Sequence, residues 1–295
     1  MNHCPPDPHN HEPIPGDDRP PKRCPIPSVP HLATGALLRY YRLQANLSYQ
    51  RVQERTGISD RRLYGIELAR RPLERDIART LLDIYGAGQE AQAVTALLSG
   101  GHMHETHHQV FQRSSWMMAL KAAAQEAVLL SSGPLRLAFD LAAPAAPIPG
   151  RAQHRCRTML LLHEPALDRT PVQQLARLIA LIQRRALTVR LVPGNLRVPE
   201  GLLTEWSLTA GITDTSAAEC RRRQLYVRHT PHTPLARNGQ PAHSDRQMIQ
   251  LAALRARTPL DSVHQLRQAA SRPRTRTTGA GQSPARTASA AKRLA

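Results

Sequence analysis

The stretch from Leu47 to Pro72, LSYQRVQERTGISDRRLYGIELARRP, decides how the first part of the chain folds. Ser48 and Ser59 are residues that cap helix N-termini well, and Gly57 between them can take the left-handed conformation that ends a helix. The stretch therefore predicts two short helices joined by a tight turn. Apolar residues recur at helical spacing in the second helix, which predicts that this face is buried.

The remaining positions of the second helix, residues 60, 61, 62, 64 and 65, are predicted to point outward. A helix that opens with arginines fits the major groove of DNA, where Arg61 can bind guanine O6 and N7 through both arms of its guanidinium. Asp60 would accept a hydrogen bond from a cytosine amino group. The pattern favours a helix-turn-helix that binds double-stranded DNA. An unrelated helical hairpin with solvated arginines is the alternative at this point.

The pattern L-S-x-x-x-V-x-E-R-T-G-I-S, followed by a polar quartet, I-E and a basic stretch ending at Pro72, resembles the Xre-type helix-turn-helix domain of phage-repressor-like regulators. Later segments resemble the C-terminal domain of unknown function in the WhiJ-like regulators of actinomycetes. These segments are MLLLHEPAL at 159–167, QLARL at 174–178 and LTVRLVP at 187–193, with a helical ending to about residue 269. The resemblance covers about residues 31–270.

This resemblance implies that Asp60, Arg61 and Gly65 occupy base-facing positions of the recognition helix, with other polar residues near phosphates. The predicted DNA-binding residues are, in full, Ser48, Tyr49, Gln50, Ser59, Asp60, Arg61, Arg62, Tyr64, Gly65 and Arg70. Tyr49 stands where such domains often carry a glutamine, and Gly65 offers no side chain for reading a base. Ala69 stands where a glycine usually ends the helix, at a cost of about 1 kcal/mol if its backbone is left-handed.

We expect four segments, in an α plus mixed α/β chain. Residues 1–30 contain ten prolines and are predicted to be a disordered arm, and residues 271–295 a disordered basic tail. Residues 31–101 are predicted to form five short helices, and residues 102–270 a mixed α/β regulatory or partner-binding domain. In that domain the patterns predict helices at about 116–130, 171–185, 245–257 and 259–269, and strands at about 159–162, 188–192, 203–208 and 224–227.

Charge is unevenly distributed along the chain. Lys and Arg number 40 against 22 Asp and Glu, which gives a formal net charge of +18, and nearly all the basic residues are arginine. By segment the net charge is −1 for 1–30, +3 for 31–101, +9 for 102–262 and +7 for 263–295. The placement of Arg61 and Arg62, rather than the total charge, therefore supports DNA binding. The excess elsewhere predicts nonspecific attraction to phosphate or an acidic partner.

Several classes are disfavoured by composition. The chain has no apolar run of about 18 residues and no secretory signal at its start, so we expect a cytoplasmic, nucleoid-associated protein with no membrane contact. Its four cysteines, at positions 4, 24, 156 and 220, lie far apart, which favours free thiols over a zinc ribbon or a disulfide framework.

A rival motif for catalysis lies at His104–His108, where HETHH matches H-E-x-x-H. On a helix this spacing puts two imidazoles on one face to bind zinc, with the glutamate as general base. The match lies in a histidine-rich run after two glycines, without a surrounding apolar helix or an identifiable third ligand. We therefore expect an interdomain linker and predict no enzyme activity, no metal and no cofactor, with a zinc-dependent hydrolase as the remote alternative.

The resulting hypothesis is a sequence-specific transcriptional regulator that binds paired half-sites as a homodimer. Its C-terminal domain would bind a signal or a partner protein, and the resemblance implies a small BldB-like partner. The alternative is an antitoxin-like protein that sequesters a small partner and regulates its own operon.

Overall fold

A computed structural model describes residues 27–99, 114–133, 135, 139, 156–208, 223–229, 234–238 and 240–272 of the chain. The helices are α1 (Val29–Gln44), α2 (Tyr49–Thr56), α3 (Asp60–Glu67), α4 (Arg75–Ile84), α5 (Ala91–Leu98), α6 (Ser114–Ala123), α7 (Pro165–Arg169), α8 (Val172–Gln183), α9 (His243–Arg255) and α10 (Pro259–Ser271). The strands are β1 (Ala124–Ser131), β2 (Arg157–His163), β3 (Thr188–Val192), β4 (Leu202–Leu208), β5 (Gln224–His229) and β6 (Pro234–Arg237). The α plus mixed α/β fold class is confirmed.

Helices α1 to α5 form a bundle around a core of aliphatic side chains. The Ser28 side chain caps α1, so this helix begins at Val29, two residues before the predicted segment. Each of these five helices contributes at least one apolar side chain that is fully buried or nearly so. These side chains are Leu37, Leu38, Val52, Leu63, Ile66, Leu81, Leu82 and Val94. The five predicted helices are all present. Their burial, rather than helix propensity, stabilises elements of only eight to sixteen residues.

A buried ion pair joins α1 to α3. The Arg42 guanidinium donates from Nε to Glu67 Oε1 at 2.6 Å and from Nη2 to Oε2 at 2.9 Å, and the two side chains are 3% and 0% exposed. Arg42 also donates to the Leu47 carbonyl at 2.8 Å. Because both charges are removed from water, each needs the other to offset the free-energy cost of its burial. The pair fixes the end of α3 against α1.

Backbone contact between α1 and α3 is close at Gly35, in the middle of α1. A Cβ atom at this position would lie 2.7 Å from the Glu67 carbonyl oxygen and 2.8 Å from that of Ile66. Glycine normally weakens a helix interior by about 1 kcal/mol relative to alanine. Here the missing side chain allows α3 to approach α1, and the same approach brings Glu67 to Arg42.

Among the described residues, the second part of the chain is built on a six-stranded sheet with the order β3-β2-β1-β4-β5-β6. Strands β1, β2 and β3 are parallel, and the pairs β1–β4, β4–β5 and β5–β6 are antiparallel. The four predicted strands correspond to β2, β3, β4 and β5, and three of the four predicted helices of this part correspond to α8, α9 and α10.

The helix predicted at about 116–130 is wrong in its second half. Helix α6 ends at Ala123, and β1 begins at the next residue and occupies the centre of the sheet. Leu129 belongs to the apolar cluster on one face, whereas Val128 and Leu130 belong to the cluster on the other face. A strand buried on both faces is apolar at successive positions, so its pattern does not distinguish it from a buried helix.

Helix α6 packs against α1 of the helical bundle, although the sequence assigned it to the second domain. The Trp116 indole is fully buried and donates to Glu90 Oε2 at 3.1 Å. The same carboxylate receives hydrogen bonds from the Ser115 hydroxyl at 2.8 Å and the Tyr41 hydroxyl at 3.2 Å. One apolar cluster therefore runs from the bundle through α6 to one face of the sheet.

Some predictions lie outside the described residues. They are the proline-rich arm up to residue 26, the HETHH motif at 104–108, the tail from residue 273, and the cysteines at positions 4, 24 and 220. Cys156 is described and is a free thiol. The division into four segments stays a prediction.

The substitution Gly35→Ala should destabilise the protein, although the same change in an open helix stabilises it by about 1 kcal/mol. The new methyl group would overlap carbonyl oxygens of α3, which cannot move without separating the helices, and we expect a loss of about 1–3 kcal/mol. Urea unfolding followed by far-ultraviolet circular dichroism measures the sign. An increase in stability would show that α1 and α3 are not in backbone contact.

The substitution Glu67→Met should cost about 3–5 kcal/mol, because it leaves the Arg42 guanidinium buried without its counter-ion. The double variant Arg42→Met/Glu67→Met removes both charges and should recover most of this loss. The two variants are compared with wild type by the same unfolding measurement. Equal losses in the single and double variants would argue against a coupled ion pair.

Candidate nucleic-acid interface

The turn between α2 and α3 has the geometry that its sequence predicts. The Ser48 hydroxyl accepts a hydrogen bond from the Arg51 amide at 3.1 Å, and the Ser59 hydroxyl accepts one from the Arg62 amide at 3.4 Å. Gly57 ends α2 with a φ of 72°, in the left-handed region. Both predicted N-caps and the predicted C-terminal glycine are confirmed.

A further contact links the two helices. The Gln53 side chain on α2 accepts a hydrogen bond from the Asp60 amide at 3.1 Å, so α2 caps the first turn of α3 from outside. The amides of a helix N-terminus otherwise lack partners within the helix. The first turn of α3, which carries Asp60 and Arg61, is therefore fixed relative to α2.

The predicted DNA-binding residues differ in exposure. The side chains of six are exposed: Ser48, Gln50, Ser59, Asp60, Arg61 and Arg70. Three are partly buried: Tyr49, Arg62 and Tyr64. Gly65 is buried. The exposed members lie at the N-terminal ends of α2 and α3 and just after the C-terminal end of α3.

Arg61 and Arg62 have different surroundings although they are adjacent. The Arg62 guanidinium makes an ion pair with Glu74 Oε1 at 2.9 Å, and both side chains are partly or largely exposed, at 40% and 68%. Arg61 is exposed and makes no ion pair or hydrogen bond through its side chain among the described residues. Arg61 is thus the arginine of α3 whose full charge and donors face solvent.

Tyr49 is tied into the core rather than directed at solvent. Its hydroxyl donates to Glu67 Oε2 at 2.9 Å, and the Arg42 guanidinium lies 4.0 Å from its ring centroid. Burial, and then the Glu67 carboxylate, raise the pKa of the Tyr49 phenol above its ordinary value of 10.0. The phenol therefore stays protonated well above neutral pH and acts as a donor within the bundle.

Gly65, which the sequence predicts to be exposed on the outward face of α3, is buried instead. The Arg71 side chain lies over this glycine, and a Cβ atom at position 65 would be 3.0 Å from Arg71 Cγ and Cδ. Tyr64 beside it is half-buried and packs edge-to-face on Tyr49, with ring centroids 5.9 Å apart. Outward-facing polar groups of α3 are accordingly concentrated in its first turn.

Ala69 has a left-handed backbone, with φ of 50°, directly after α3. The conformational free-energy cost predicted for a left-handed alanine at this position, about 1 kcal/mol, therefore applies to the folded chain. The backbone reverses here so that the amides of Arg70 and Arg71 both donate to the Gly65 carbonyl, at 2.7 and 3.2 Å. This reversal places two arginines beside the end of α3.

Several residues that shape this surface were missed from sequence. Arg71 covers Gly65, and Gln53 caps the N-terminal end of α3. Glu67 binds Arg42 and so fixes the C-terminal end of α3. A glycine inside the predicted first helix was a usable signal, since Gly35 has no turn to make there. The partners of Gln53 and Glu67 depend on tertiary contact and left no local pattern.

Other types of site are not seen among the described residues. No group of three or more His, Cys, Asp or Glu side chains in this part of the chain is arranged to hold a metal ion. The HETHH motif lies outside it. Within the same ranges, no helix is both long enough and apolar enough to cross a bilayer.

Comparison with known proteins agrees with this geometry. Residues 33–94 match the family described as a helix-turn-helix domain. No curated protein and no solved structure matches the chain. The matched range begins inside α1, includes α2 to α4 and ends halfway along α5, so this part of the chain is a helix-turn-helix domain, which supports a DNA-binding regulator.

Proposed function

We propose that the chain is a sequence-specific transcriptional regulator of the Xre type that reads an operator through the first turn of α3. The observation that carries this proposal is the contrast between the two faces of α3. One face is held by the Arg42–Glu67 ion pair and by Gly35, whereas Asp60 and Arg61 on the other are exposed. A rigid helix with an unpaired arginine suits bidentate binding to guanine in the major groove.

In the proposed mechanism, some side chains bind phosphates and position the protein on DNA, whereas others contact the bases. Ser48, Gln50 and Ser59 are exposed at helix N-termini, where backbone amides and hydroxyls suit phosphate oxygens. Arg61 would bind guanine O6 and N7, and Asp60 a cytosine amino group. Because Arg62 is partly neutralised by Glu74, we expect it to contribute less to phosphate attraction than Arg61.

We propose binding rather than catalysis as the activity, in the cytoplasm, and a WhiJ-like role for the second domain as the part that receives a signal or a partner protein. The support for this last role is the resemblance of its segments, together with its connection to the helix-turn-helix domain through α6.

The substitution Arg61→Ala tests the reading residue. Sequences bound by the full chain are selected from random duplex DNA, and affinities for the enriched site are measured. We expect the variant to lose about 1–3 kcal/mol of binding free energy and to relax the preference at one base pair.

Arg255→Ala is the matched control, because it removes one exposed arginine from α9 in the second domain and so changes the net charge equally. It should leave the enriched motif unchanged. Enrichment of no motif by wild type, or an unchanged motif and affinity in Arg61→Ala, would refute operator reading.

We further propose that the protein binds as a homodimer on half-sites about one helical turn, 34–36 Å, apart, since one small helix-turn-helix makes few base contacts. Sedimentation equilibrium of the complex should give the mass of the duplex plus twice the 32.7 kDa chain mass. Insertion of about five base pairs between the half-sites should weaken binding, because it rotates them to opposite faces of the duplex. A monomer that binds one half-site with full affinity would contradict dimeric recognition.

A further inference from the structure

The C-terminal end of α3 requires hydrogen-bond partners, because the last carbonyl groups of a helix have none within it. Three of them are satisfied locally. The Tyr64 carbonyl accepts from the Leu68 amide at 3.1 Å, the Gly65 carbonyl from two following amides, and the Ile66 carbonyl from the Ala69 amide at 2.9 Å. The carbonyl of Leu68, the C-cap residue, is satisfied from elsewhere in the chain.

That partner is Arg223, which lies just before strand β5 and 155 positions away in sequence. Its Nη2 donates to the Leu68 carbonyl, and the residue is 2% exposed. Arg223 directly precedes β5, and its own carbonyl accepts from the Leu208 amide at the end of β4 at 3.3 Å. The end of β4 and the start of β5 are thereby joined to the end of the recognition helix, α3.

The environment strengthens this contact. A narrow crevice beside Arg223 is lined from both parts of the chain by apolar residues, among them Leu32, Ala69, Ala123 and Leu208, and by the charged Arg39 and Glu67. A cation at a helix C-terminus interacts favourably with the helix dipole, more so where water is partly excluded. The same crevice includes Ala69, the left-handed residue after which Arg70 and Arg71 follow.

A second contact joins the two parts of the chain at another point. The Asn238 side chain, just after β6, donates to the Pro27 carbonyl before α1. Together with the packing of α6 on α1, it holds the bundle against the sheet. Of these contacts, the hydrogen bond from Arg223 is the one that reaches the recognition helix.

We propose that Arg223 is a positioning residue for DNA binding, which fixes the C-terminal end of α3 and the Ala69–Arg71 segment in the orientation that fits the groove. This inference rests on the proposed operator binding. Without the guanidinium, the Leu68 carbonyl loses its partner and the segment carrying Arg70 is released from the sheet. The last turn of α3 is then held by its contacts with α1 alone, and the base contacts of Asp60 and Arg61 weaken although neither touches Arg223.

The test compares Arg223→Met with Arg190→Met in the full chain. Arg190 on β3 has the same chemistry, since its Nη2 donates to the carbonyl of Ala256, the C-cap residue of α9, at 2.7 Å. Affinities for the selected operator and for a random duplex are measured well below the unfolding temperatures of both variants. We expect Arg223→Met to reduce the ratio of specific to nonspecific affinity by about tenfold, and Arg190→Met to leave it unchanged.

Arg223→Lys retains a cation near the carbonyl and should restore part of the ratio. Hydrogen exchange supplies a readout that does not require an operator. The amides of Arg70 and Arg71, which donate to the Gly65 carbonyl, should exchange faster in Arg223→Met than in wild type or Arg190→Met.

The outcomes separate the two proposals. An unchanged affinity ratio in Arg223→Met, or an equal decrease in Arg190→Met, overturns the positioning role while operator binding stands. If wild type selects no operator, operator binding fails, and hydrogen exchange then decides alone whether Arg223 holds the end of α3. Unchanged exchange at both amides would overturn that contact as well.

Discussion

The helix-turn-helix surface depends on how the C-terminal end of α3 is buried. Three contacts converge there: the glycine at position 35 allows backbone approach, the Arg42 guanidinium binds the Glu67 carboxylate, and Arg223 binds the Leu68 carbonyl. Each would be unfavourable alone, because it buries a charge or places backbone atoms close together. They are mutually supporting, since glycine sets the distance at which the ion pair forms, and the ion pair fixes the carbonyl that Arg223 reaches.

This arrangement explains why α3 can be short. A helix of eight residues is unstable by itself, and α3 has only Leu63 and Ile66 as large buried apolar side chains. Its first turn is capped by the Ser59 hydroxyl and the Gln53 side chain, and its last turn is fixed by Arg42 of α1 and by Arg223, which precedes β5. Because both ends are held by side chains, the outward face needs no stabilising contacts and is available for recognition.

The sequence was informative where a structural signal is local. Ser48, Gly57 and Ser59 fix the turn through their own backbone preferences, and all three are in the predicted conformations. Contacts that depend on how the chain folds back left no such signal. The burial of Gly65 under Arg71, which requires the reversal at Ala69, and the partner of Glu67 in α1 were therefore not anticipated. The strand β1 was taken for helix because a strand buried on both faces lacks alternation. The DNA contacts themselves remain predictions, since exposure shows which groups are available and not what they bind.

The charge distribution has a clearer meaning in the folded domain than in the sequence. Residues 31–101 carry a net charge of only +3, and two of their arginines, Arg42 and Arg62, are paired with carboxylates. Long-range attraction to DNA from this domain is therefore modest, and affinity would depend on a few placed groups such as Arg61. Such side chains contribute to binding only if the helix that carries them is rigid. Because the helix-turn-helix domain is only weakly basic, the geometry of α3 and the residues that hold it are more decisive for binding than the +18 charge of the whole chain.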